Sequence, residues 1–258
     1  MDVSWLVSSL LAIAIGLSLG LLGGGGSILT VPALVFAVGM TPEAAVSTSL
    51  AVVGLNALLG TALQARRGNV NWRAAAFFGG AGIVGAYLGS FFTRFVPGTL
   101  LLVLFALLML VVATMMLRPL RAGGSKPVAH WGTALGAGFG VGLLTGFLGV
   151  GGGFLIVPAL VLLVGLSMTS AVATSLPIIA LNSASGFLGH LSQGPLDWGV
   201  TLRFVALGAV GVVIGVRLAN RVPAYKLRAW FAWFVIAVAL YMLARTLLPL
   251  TGWAATQH

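Results

Sequence analysis

The chain has 258 residues, 60% of them hydrophobic and only 6% charged, against about 25% charged in a soluble domain. A water-soluble enzyme and a disordered chain are excluded, a disulfide scaffold is excluded because there is no cysteine, and the unbroken apolar runs are not the ~10-residue alternating segments of a β-barrel. The 13 Lys and Arg against 3 acids sit in short gaps between apolar runs, which is a topology signal and not a nucleic-acid surface.

The predicted elements are apolar helices. In the first half they cover 4–22, 28–40, 43–64, 73–92 and 98–117; in the second, 130–148, 154–166, 169–190, 199–216 and 227–247. The N-terminus (Met1, Asp2, Val3, Ser4, Trp5) has no basic stretch ahead of its apolar run, so that run is expected to be retained and not cleaved. The fold expected is an all-α polytopic membrane protein made of two inverted repeats of about five helical segments each. We divide it into a first repeat at 1–120, a connector at 121–130 and a second repeat at 131–258.

Duplication is read directly from the residues. A shift of 126 aligns 5–117 with 131–243 without a gap, and 40 of those 113 pairs are identical. The stretch 20–56 matches 146–182 at 20 of 37 positions, and the pairs include Trp5 with Trp131, Pro32 with Pro158, Asn56 with Asn182, Trp72 with Trp198 and Pro97 with Pro223.

The second segment of each half has about 13 residues, only ~20 Å of helix, short of a ~30 Å hydrocarbon core. Each follows a glycine run, Gly23 to Gly26 in one half and Gly149, Gly151, Gly152 and Gly153 in the other. Glycine favours irregular backbone, so each half should contain a broken helix or a re-entrant pair. Arg66, Arg67 and Arg73, then Arg118, Arg121 and Lys126, then Arg217, Arg221, Lys226 and Arg228 mark three cytoplasmic loops. With these inside, both termini lie outside the cytoplasmic membrane and the two copies have opposite orientation, an architecture of secondary transporters.

Irregular backbone at membrane depth must be buried by protein or reached by water. A helix that starts after such a break directs unpaired N–H groups and partial positive charge into that space. Two such starts, near Ser27–Ile28 and Gly153–Phe154, would converge near the midplane and seat a small anion. The candidate backbone residues are Gly25, Gly26 and Ser27, with Gly151, Gly152 and Gly153; the competing reading is close helix packing. The third segment adds Thr48, Ser49 and Asn56, repeated as Thr174, Ser175 and Asn182. Ser49 and Asn56 are two turns apart and share a face; alternatively the hydroxyls bond back along their own helix and the asparagines bridge helices.

Ionisable groups within the membrane are functional suspects. Here they are Glu43, which also fits a helix start after Thr41 and Pro42, and His190. Both are candidates for proton coupling. His130, His190 and His258 are far apart and cysteine is absent, so no metal or other cofactor is expected. An intramembrane hydrolase built on Ser185 and His190 is disfavoured, because i,i+5 spacing puts them on different helix faces.

The run Gly20-Leu-Leu-Gly-Gly-Gly-Gly-Ser-Ile-Leu-Thr-Val-Pro-Ala-Leu34 and its copy from Gly146 to Leu160 resemble the glycine-rich signature of the sulfite exporter TauE/SafE family. The resemblance covers nearly the whole chain. It implies movement of sulfite, sulfoacetate or a related sulfur-containing or carboxylate anion across the cytoplasmic membrane. The function expected is therefore secondary transport of a small anion, as export by alternating access; a passive anion channel and a proton-coupled importer are the alternatives. The expected partners are that anion and the lipid bilayer, with a homodimer allowed and nucleic acid excluded.

Overall fold

A computed structural model describes residues 3–93, 98–118, 131–148, 153–190 and 197–247. Its helices are α1 (Val3–Leu22), α2 (Gly25–Ala33), α3 (Pro42–Ala65), α4 (Trp72–Thr93), α5 (Gly98–Leu117), α6 (Trp131–Leu148), α7 (Gly153–Leu162), α8 (Met168–His190), α9 (Trp198–Ala219) and α10 (Ala224–Leu247). No strand occurs among the described residues. Within them Ala44–Ala65, Trp198–Ala219 and Ala224–Ala244 are long and apolar enough to cross a membrane, while Leu6–Leu22, Ala106–Leu117, Gly132–Leu144 and Gly153–Leu162 are shorter apolar stretches. The chain is an all-α polytopic membrane protein.

Local chemistry sets the helix starts. Thr41 accepts from the Ala44 N–H at 3.4 Å ahead of Pro42, Asn71 accepts from Ala74 at 3.0 Å, and Asp197 accepts from Val200 at 3.0 Å. These are side-chain N-caps, and they satisfy donors that a helix start leaves without partners. α2 begins at Gly25, earlier than the sequence suggested, because Gly24 already has helical dihedrals (φ −62°, ψ −10°). Gly23 makes the turn instead, at φ +75°, a left-handed conformation that a residue with a Cβ rarely adopts. Beyond Pro32, which donates no backbone N–H, α2 passes into a π-helical turn over Leu34–Val38 and ends on left-handed Gly39.

Helices pair across the two halves. α1 packs on α9, α4 on α6, α3 on α8, and α5 on α10. Small residues permit the closest approaches: Gly16 lies on Gly208, Gly20 on Val212 and Gly215 on Leu17 and Leu21, so α1 and α9 run parallel. Gly138 lies on Phe78 and Gly142 on Gly82, so α4 and α6 are also parallel. α3 and α8 run antiparallel, with Leu50 against Gly186, Gly54 against Ser183, and Gly60 against Leu176. Gly211 and Gly215 thus act as packing residues.

α2 folds back along α1. Gly25 approaches Ser18 and Leu22, and Gly26 approaches Ile15 and Leu19. Ala33 and Leu34 then join Ala12, Ile15, Val52 and Phe204 in a small core. α7 is buried along its length from Gly153 to Val161 and joins the main core, packing against α8, α6, α2 and α5.

The basic loops gather at one end. Asn69 Nδ2, after α3, donates to Asn220 Oδ1 at 2.8 Å, after α9. Arg228 Nη2, at the start of α10, donates to the carbonyl oxygens of Met115 (3.1 Å) and Arg118 (2.9 Å) at the end of α5. The helices carrying Arg66, Arg67, Arg118, Arg217, Arg221, Lys226 and Arg228 therefore meet at a single face.

Candidate functional site: two glycine breaks in contact

The two breaks touch. A Cβ added to Gly24 would overlap the carbonyl of Gly153 and come within 2.5 Å of the Phe154 nitrogen. Two helix starts therefore meet at a point where only glycine fits. Gly23 lies against α8, where a Cβ would collide with Ser175 Oγ and stand 2.8 Å from Val157 Cγ2. Gly25 and Gly26 are buried beside α1. Gly151 and Gly152 fall outside the described residues, and the side chains of Ser27, Glu43 and His190 are likewise not described.

The hydroxyl and amide residues divide by hydrogen bonding. Thr174 Oγ1 accepts from the Asn71 backbone N–H at 3.0 Å, so it anchors the loop before α4. Its copy Thr48 is fully buried and its Oγ1 has no partner. Ser175 donates back to the Val172 carbonyl at 2.8 Å and lines the first break. Ser49 is buried on α3. Asn56 is buried with its Nδ2 set against Gly208 and its Oδ1 unpartnered. Asn182 Oδ1 is also unpartnered and faces a cavity of about 20 Å³, whose lining includes Gly82, Gly138, Gly142 and Ile156. A space of that size holds a single water. Asn56 and Asn182 are thus alike in an unpartnered Oδ1, whereas Thr48 and Thr174 differ.

A second polar group lies at the basic end and was not anticipated. Asn69 Nδ2 and Asn220 Nδ2 both donate to Gln64 Oε1, at 2.9 and 3.2 Å, and Asn69 also donates to Asn220. Ser170 Oγ donates to the Asn69 carbonyl at 3.1 Å. This amide clasp ties α3, α8 and α9 together, with Gln64 fully buried.

Apolar helices of spanning length and irregular backbone buried among them define the class by fold: a polytopic membrane protein. A model of the family described as "Sulfite exporter TauE/SafE" matches residues 8–242. The chain belongs to the sulfite exporter TauE/SafE family. It is 38% identical over 242 residues to a "Probable membrane transporter protein" of Xylella fastidiosa (strain Temecula1), covering 90% of this chain and 92% of the relative. It is 23% identical to YdhB of Bacillus subtilis, across 83% and 90% of the two chains, and 27% identical to YfcA of Escherichia coli, across 88% and 83%. Both of those are also described as probable membrane transporter proteins, so the chain is grouped with transporters and not with enzymes. No solved structure matches the chain.

Proposed function

We propose that the protein exports a small oxyanion of the sulfite or organosulfonate type, or a related carboxylate, across the cytoplasmic membrane by alternating access. The observation that carries this reading is the meeting of the Gly24 and Gly153 breaks. Two helix N-termini at one point offer about one unit of positive potential without a buried cation. Gly25, Gly26, Gly153, Thr48, Ser49 and Ser175 surround the bound anion, and Ser27, Gly151 and Gly152 are assigned to the same site from the sequence; Asn56, Asn182 and Thr174 hold the helices that carry it.

In this reading the two halves are inverted copies. Support comes from α3 and its repeat counterpart α8 running antiparallel, and from the exchange of α1·α9 for α4·α6 under the 126-residue shift. The arginine-rich end is cytoplasmic by the positive-inside rule, which puts both termini outside. Expelling one negative charge from an inside-negative cell gains ~2.3 kcal/mol per 100 mV, so export of a monoanion needs no coupled ion.

Radiolabelled sulfite and sulfoacetate flux in proteoliposomes, with an imposed potential and with or without a pH gradient, tests the proposal. Saturable, trans-stimulated flux that follows the potential is expected. Single-channel conductance would replace the carrier with a channel, and flux that requires a proton gradient would replace the exporter with a proton-coupled importer.

A further inference from the structure

A hydroxyl inside an apolar helix ordinarily donates to a carbonyl one turn back. Thr30 does so to Gly26 at 2.8 Å, Thr61 to Ala57 at 2.7 Å, Ser175 to Val172 at 2.8 Å, and Thr201 to Asp197 at 2.7 Å. Ser18 of α1 does not. It is 8% exposed and its Oγ has no hydrogen-bond partner. That oxygen lies 2.7 Å from the point where a Cβ on Gly25 would stand, and a ring-edge carbon of Phe234 on α10 lies 3.2 Å from the same point. Gly24, at the start of α2, provides no side-chain cap. An unpartnered buried hydroxyl thus adjoins the first turn of a helix whose N–H groups have no acceptor one turn back.

We propose that Ser18 is a substrate-contacting residue that binds and orients the transported anion at the start of α2. The inference rests on the function proposed above and deepens it. The N–H groups of the helix start donate and the Ser18 hydroxyl can donate with them, so a ligand that presents acceptor oxygens, as a sulfite, sulfonate or carboxylate does, satisfies both. The hydrogen-bearing edge of an aromatic ring is electropositive, so Phe234 favours the same charge. The repeat counterpart of Ser18 is Leu144, which has no hydroxyl and is 42% exposed. The ligand is therefore held nearer the first half than the pseudo-symmetric centre. Gly25 is required because a side chain there would fill the space between Ser18 and Phe234.

The test uses the full chain in proteoliposomes, with initial rates of radiolabelled sulfite and sulfoacetate entry measured against concentration for the wild type, Ser18→Ala and Ser18→Thr. A hydrogen bond from Ser18 to an anion predicts an apparent KM raised by ~10-fold or more in Ser18→Ala. The maximal rate should be little changed, and Ser18→Thr, which keeps the hydroxyl, should bring KM back toward the wild type. Wild-type flux with an unchanged KM in Ser18→Ala overturns the role of Ser18 and leaves the transport reading intact. A fall in maximal rate alone, not rescued by threonine, makes Ser18 structural and likewise overturns it. If the wild type moves neither anion, the transport reading fails and this inference fails with it.

Discussion

The contact between the two breaks can be challenged with a single methyl group. Gly24 has ordinary helical dihedrals (φ −62°, ψ −10°), so Gly24→Ala costs nothing in backbone strain and its effect is purely one of space. The new Cβ would overlap the Gly153 carbonyl and press on the Phe154 nitrogen. Both are backbone atoms, so no rotamer change relieves the clash. Overpacking of this kind costs roughly 1–3 kcal/mol, and backbone partners place it toward the upper part of that range. At ~3 kcal/mol, the conformation with the two breaks in contact loses about two orders of magnitude in population relative to one with them apart. Gly25→Ala should be milder, because it meets side chains that can move: Ser18 Oγ at 2.7 Å and the Phe234 ring at 3.2 Å. Gly80→Ala is the control. Nothing lies within 4 Å of its added Cβ, and replacing a mid-helix glycine should stabilise by up to ~1 kcal/mol. Initial rates of sulfite flux should fall in the order Gly80→Ala, Gly25→Ala, Gly24→Ala, with Gly24→Ala reduced at least ~10-fold while it still inserts and purifies as a folded species. Wild-type flux through Gly24→Ala would refute the argument that the anion binds where the breaks meet.

The two threonines separate a structural role from a binding one. Thr174→Val strands the Asn71 N–H and should lower stability in thermal unfolding by ~1–3 kcal/mol, whereas Thr48→Val removes an oxygen that already lacks a partner, so it should hold or raise stability and reduce flux. Asn220→Ala takes two donors and an acceptor out of the amide clasp, and a lowered unfolding midpoint in detergent, by the equivalent of ~1–3 kcal/mol, is expected. The chain has no native cysteine, so single cysteines report topology cleanly: Arg67→Cys and Arg221→Cys should react with a membrane-impermeant maleimide from the cytoplasmic side and Trp198→Cys from the outside. Labelling of all three from one side would end the inverted arrangement.

What the sequence made legible is whatever glycine, proline and the repeat could encode. Gly23 and Gly39 are punctuation that no other residue would supply at φ +75° and +79°, and the starts of α3 and α9 follow from Thr41-Pro42 and Asp197. Which helix pairs with which was not legible. Gly16 and Gly20 announce that α1 will approach something closely, yet only the fold shows this to be α9, nearly two hundred positions along the chain. The amide clasp is hidden for a related reason: Gln64 and Asn220 are 156 residues apart, and neither lies in a periodic pattern that hints at the other. Ser18 was missed because a lone serine on an apolar helix reads as an ordinary back-bonded hydroxyl, and its counterpart Leu144 removes it from any comparison of the two halves. The identity of Thr48 and Thr174 misled in the opposite direction. The same residue in both copies suggested one shared role, but Asn71 follows α3 with a backbone N–H placed to meet Thr174, and Thr48 has no equivalent partner.

The departures from symmetry cluster at two levels of the molecule. In the proposed inverted arrangement, identical halves would face each side of the membrane with equal free energy, since exchanging the halves would exchange the two states. Here the basic end is closed by Gln64, Asn69 and Asn220, whose places in the other copy are taken by His190, Pro195 and Arg94. Proline has no side-chain amide and arginine no acceptor, so these residues cannot supply the same set of hydrogen bonds. Ser18 and Thr48 of the first half keep hydroxyls without partners, while Thr174 and Ser175 of the second half are engaged. Leaving a buried hydroxyl unpaired costs about 1–3 kcal/mol, a penalty that a guest bearing an acceptor oxygen removes. The first half thus leaves hydroxyls open where Thr174 and Ser175 of the second half are engaged, while the second half keeps an open amide oxygen at Asn182. The amide clasp and Ser18 reside in residues that the duplication did not preserve, whereas Thr48 and Thr174 are identical and differ only in what surrounds them.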